Sequence, residues 1–167
     1  MPSSRTSAGD RHGPRWSPGR RCCQATKRYA AAARLYAEAF AADPKLADDP
    51  RAGHRYNAAC CAALAAAVQG TDPAKLDAKE RARLRRQALG WLRADLVLRS
   101  KQVDQGTPQD RSAVQRMLRH WQQDPDLAGV RDPAALAELP EAERADWRKL
   151  WADAAALLKK AEASGKQ

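Results

Sequence analysis

The chain has 167 residues and a net charge of +10. It holds five Val, four Thr and no Ile, an inventory that excludes an extensive sheet, while its Ala, Leu, Arg, Lys, Glu and Gln favour helices. No apolar run approaches the ~20 residues of a membrane span.

Charge is unevenly placed. Residues 1–28 carry seven Arg/Lys against the single acid Asp10, whereas residues 29–167 carry 23 basic and 19 acidic residues. The basic character therefore belongs mainly to the first segment, which argues against a nucleic-acid face on the rest. Residues 1–21 are rich in Ser, Gly, Pro and Arg, lack the apolar stretch of a secretory signal and read as disordered.

A first helix is expected from about Ala25 to Ala42. Tyr29, Ala32, Ala33, Leu35, Tyr36, Ala39 and Phe40 give it a broad apolar face. Asp43-Pro44 ends it, because a residue before proline disfavours the helical region. After a loop over 45–53, a second helix spans about His54 to Gln69, with Gly70 as its natural terminating residue. It is dominated by small residues, including the vicinal pair Cys60–Cys61. That pair and Cys22–Cys23 fit no zinc spacing and read as free thiols of a reducing cytoplasm.

Asp77 with Glu80 resembles a capping box opening a long third helix over about 78–104. Leu84, Ala88, Leu89, Trp91, Leu92 and Leu96 form its inward side, which leaves Arg81, Arg85, Arg86, Arg93 and Arg99 outside. Thr107-Pro108 opens a fourth helix, in which Val114, Met117, Leu118 and Trp121 follow helical spacing until Asp124-Pro125. A connector over 126–140 contains a short helix at 133–138. The last helix opens at Pro140-Glu141 and carries Trp147, Leu150, Trp151, Ala154, Leu157, Leu158 and Ala161 on one stripe. Trp91, Trp121, Trp147 and Trp151 are expected as core anchors.

Ala32, Tyr36, Ala39 and Pro44 fall at +0, +4, +7 and +12, and the chain here resembles a tetratricopeptide-repeat protein. Tyr56-Asn57 and Ala59 match the first helix of the next repeat, and Ala88, Leu92 and Asp95 its second helix, reached across an insertion. Over about residues 22–160, the runs LRADL, HWQQDPDLAGVRDPAAL and LPEAERADWRKLW resemble the C-terminal region of bacterial serine/threonine protein kinases that carry such repeats. The kinase motifs themselves (the Gly-rich loop, the VAIK lysine, HRD and DFG) are not in this sequence.

The resulting expectation is all-α: a short, degenerate tetratricopeptide-like solenoid of about five helices over 22–163, a disordered basic N-terminus over 1–21 and a tail over 164–167. The resemblance implies a non-catalytic scaffold for a protein or peptide partner, with no cofactor, no metal and no catalytic residue. Following it, Tyr56, Asn57, Cys60 and Ala63 would face the partner-binding groove. His54 beside Cys60 and Cys61 is too thin a pattern for a metal cluster, and His120 lies about sixty positions from Cys60. Self-association through an uncapped N-terminal end is expected. The alternatives are a nucleic-acid-associated protein acting through residues 1–28 and a truncated piece of a longer kinase.

Overall fold

The computed structural model describes residues 27–71 and 76–164, and every regular element among them is helical. Five long helices are joined by two short ones and a 3-10 turn. Helix α1 is Tyr29–Ala42, α2 Lys45–Asp48, α3 His54–Ala66 and α4 Ala78–Gln105. Helix α5 is Pro108–Gln123, followed by the 3-10 turn Pro125–Val130, α6 Pro133–Ala137 and α7 Glu141–Ser164. The expected disorder over 1–21 and most of the expected tail lie outside the described residues.

Local chemistry sets most boundaries. Asp77 accepts a hydrogen bond from the Glu80 amide, which satisfies a free donor at the start of α4. Thr107 and Asp110 form a reciprocal capping box at α5, with Pro108 in the first helical position. Asp43 stops α1 in an extended conformation directly before Pro44. Asp124 both closes α5 and caps the 3-10 turn, its side chain accepting from the Asp126 amide.

The exit from α3 departs from expectation. The helix ends at Ala66, three residues earlier than anticipated, and Val68 rather than a glycine takes a left-handed backbone, φ +58°. Gly70 follows at φ +103°, against the entry to α1: a Cβ there would sit 2.2 Å from the Lys27 carbonyl. The adjacent Thr71 amide donates to that same carbonyl at 2.8 Å. Only glycine permits this approach.

Helix α3 is the hub. It packs against α1, α4 and the 3-10 turn, while α4 also meets α5 and α7, and α5 packs on α7. Tyr56 through Ala63, together with Ala65 and Ala66, are buried, so this helix has almost no solvent face. Its alanine methyls let three neighbours close on it at once. Trp121, Trp147, Leu118, Leu127 and Leu150 fill the far half of the core.

Three packing expectations are corrected. Leu35 is 65% exposed and lies on the outward side of α1. Arg99, expected outside, is buried against Asp95, and its Nη2 donates to the Pro50 carbonyl. Trp91 and Trp151 are half-buried rather than central, with Trp91 edge-on to Phe40 at 5.8 Å between ring centroids.

Candidate functional site

The four residues expected to line an open groove do not reach a surface. Tyr56, Asn57, Cys60 and Ala63 are each at most 2% exposed. The physical reason is the 3-10 turn and α5, which cover the side of α3 that a groove would need. Tyr56 stacks on Trp121 at 5.5 Å with an 8° angle between rings, and His120 lies edge-on to the same tyrosine at 5.8 Å.

What α3 contributes instead is the floor of a buried polar junction. The Tyr56 hydroxyl donates to Asp124 Oδ2 at 2.5 Å, and His120 Nε2 lies 2.9 Å from that same oxygen. Asp124 Oδ1 accepts from the Asp126 amide, and Arg131 Nη1 donates to the Asp124 carbonyl at 2.7 Å. One carboxylate thereby joins α3, α5 and the 3-10 turn. Burial, followed by the neighbouring acidic groups Cys60 and Asp124, pushes the Tyr56 hydroxyl far above its ordinary range. It therefore stays protonated and acts as a donor.

Cys60 Sγ and carboxylate oxygens of Asp124 and Asp126 lie within 4.8 Å of one another. Sulfur and carboxylate donors of this kind suit a zinc ion. Here, however, both Asp124 oxygens already accept hydrogen bonds from the chain's own groups. The geometry is that of a structural lock, and Cys60 is too buried to meet a substrate. The potential ligands differ from the His54, Cys60 and Cys61 grouping considered from sequence. His120, sixty positions from Cys60 in sequence, is brought beside the cluster by α5. Asp124 was legible only as a helix stop, and its pairing with Tyr56 carried no sequence signal. Asn57 Oδ1 is buried without a hydrogen-bond partner among the described residues.

An open feature lies on another face. A cleft of about 500 Å³ is lined by Gln122, Arg131, Pro133, Leu136, Arg148 and Trp151, drawn from α5, the connector, α6 and α7. The Trp151 indole N–H donates to the Val130 carbonyl at 2.8 Å, which fixes the ring. Arg131 is held by the Asp124 carbonyl and by Asp132.

Several arginines of α4 are paired with carboxylates, on α7 or within α4 itself, rather than arrayed for phosphates. Arg85 grips Glu143 through two hydrogen bonds of 2.8 and 3.0 Å, Arg93 meets Asp146 and Arg83 meets Glu80. No helix among the described residues is long and apolar enough to cross a membrane. Comparison with protein families, curated proteins and solved structures finds no match to this chain.

Proposed function

We propose that this chain is a non-catalytic protein–protein interaction scaffold, a degenerate tetratricopeptide-like solenoid acting in the cytoplasm as part of a kinase-linked signalling system. The sequence resemblance to the C-terminal region of bacterial serine/threonine kinases motivates the link to signalling. The packing of helix on neighbouring helix is compatible with a solenoid, in which each unit buries its face against the next.

The observation that carries the reading is the outward side of α1. Leu35 is 65% exposed there, with the exposed Ala42 two turns on and the half-buried Ala31 and Ala39 at helical spacing beside it. An apolar stripe on the first helix of a helical stack suits a further helical layer, and a second copy of the chain supplies one. The former groove residues are left out of this proposal, because they are buried.

The test needs no knowledge of a partner: light scattering of the purified full chain across a range of concentrations, beside Leu35→Glu. Concentration-dependent dimers that the substitution disperses, with the circular dichroism and melting curve unchanged, support the face. A chain that stays monomeric throughout, or dimers indifferent to Leu35→Glu, removes it.

A second reading rests on the concentration of charge in residues 1–28. If that segment binds nucleic acid, affinity falls steeply with salt and vanishes on deletion of residues 1–21. Binding that survives the deletion rejects this reading.

A further inference from the structure

The cleft between α5, α6 and α7 combines a fixed aromatic wall, an apolar floor and two guanidinium groups. Leu136 is 5% exposed and forms part of the floor. Trp151 is held by its bond to the Val130 carbonyl, so its ring is ordered before anything binds. Arg131 is likewise anchored, by carbonyl oxygens on one side and Asp132 on the other. Arg148 is different: it is exposed, lines the cleft and makes no hydrogen bond or ion pair among the described residues. The other arginines facing α7 are committed, Arg85 to Glu143, Arg93 to Asp146 and Arg119 to Glu162.

We propose that this cleft is a peptide-docking site for a partner segment that presents an acidic side chain close to a bulky apolar one. This inference rests on the scaffold reading and gives its partner a chemistry. Charge complementarity selects the acidic group, because Arg148 is an uncompensated cation beside a second guanidinium. The Trp151 and Leu136 surfaces select the apolar group, which leaves water on entering. A volume of about 500 Å³ accommodates a few side chains and excludes a whole folded domain. The dimer face on α1 belongs to a different helix, so the two surfaces can be separated experimentally.

The experiment is a nuclear magnetic resonance titration of the full ¹⁵N-labelled chain with a blocked Gly-Ser-Glu-Gly-Leu-Ser-Gly peptide. Controls replace the peptide's Glu by Lys, or its Leu by Gly. The expected result is saturable movement of the Trp151 indole signal with the Glu–Leu peptide, and loss of it with either control. Arg148→Glu, an exposed substitution that leaves the fold intact, weakens the Glu–Leu peptide about tenfold or more and favours the Lys version. Three results overturn the proposal: no saturation up to about 1 mM peptide, equal binding of the Glu and Lys peptides, or movement confined to signals outside the cleft. Movement confined to α1 would leave the scaffold reading standing while removing this site. A chain that binds the peptide here but stays monomeric would do the reverse for the α1 face.

Discussion

Tyr56 and Asp124, 68 positions apart, meet through a 2.5 Å hydrogen bond in the buried centre of the protein. Removing the hydroxyl with Tyr56→Phe keeps the ring stack on Trp121 and deprives the carboxylate of one donor. The expected cost is about 1–2 kcal/mol, read as a lower urea midpoint with an unchanged slope. An unchanged midpoint would show that His120 and the Asp126 amide satisfy Asp124 without the hydroxyl.

Arg99 and Asp95 are both buried and joined at 3.3 Å. Arg99→Met leaves a carboxylate stranded in the core and abandons the Pro50 carbonyl, at an expected cost of about 3 kcal/mol or more. The double variant Asp95→Leu with Arg99→Met is expected to recover much of that loss, since two apolar side chains can replace a buried pair. Thermal melts of both variants decide it: equal losses would mean that the Pro50 contact, rather than the charge pair, dominates.

Two carboxylates predict opposite responses to acid. Burial raises Asp95 above its ordinary value of 3.8, against the lowering influence of Arg99. Its raised folded value means that the native state binds the proton more tightly. Asp95 therefore favours the fold most at low pH, an advantage that fades as pH rises from 3.8 through the folded value. Asp110 is lowered from 3.8, first by the Thr107 amide and then by the Thr107 hydroxyl. Its contribution is present above 3.8 and fades as pH falls through its depressed value. Asp110→Asn should therefore flatten the acid limb of a stability–pH curve, whereas the Asp95→Leu, Arg99→Met pair should remove the advantage at low pH. Identical curves for wild type and Asp110→Asn would contradict the first assignment.

The exit from α3 offers a pair of contrasting substitutions. Val68 holds φ +58° as an exposed β-branched residue, so Val68→Gly is expected to stabilise by about 0.5–1 kcal/mol, strain relief outweighing the added chain entropy. Gly70→Ala drives a methyl into the Lys27 carbonyl and is expected to destabilise by about 2 kcal/mol or more. Denaturant melts showing shifts of the same sign for the two would refute this account of the turn.

The legible parts of the fold are those written in local chemistry. Asp77 with Glu80, Thr107 with Pro108 and Asp124 with Pro125 each announce a helix boundary through a hydrogen bond or a ring that acts within a few residues. The long helices and the all-helical class follow from these signals and from composition. Helix α3 resisted the same treatment. A helix of Ala and Cys has no polar side to contrast with an apolar one, so periodicity cannot reveal that it is covered all round. The groove assignment for Tyr56, Asn57, Cys60 and Ala63 came from resemblance, and tertiary packing overrode it. Arg99 read as solvent-facing because its pairing with Asp95 one turn earlier is equally possible on an exposed helix face, while the contact that buries it, with the Pro50 carbonyl 49 positions away, has no local signal. The junction of Tyr56, His120 and Asp124 depends on how α5 is set against α3, which no local motif specifies.

The alanine methyls of α3 have a further consequence. Where long side chains line a helix, neighbours can drift as rotamers change. Alanine has no rotamers to exchange, so wherever an alanine of α3 meets α1 or α4 the separation is set by main chain and methyl. Helix α3 thus works as a ruler: it sets a fixed gauge between the surfaces on either side of it. Substituting larger residues along it would widen that gauge before it changed any surface chemistry.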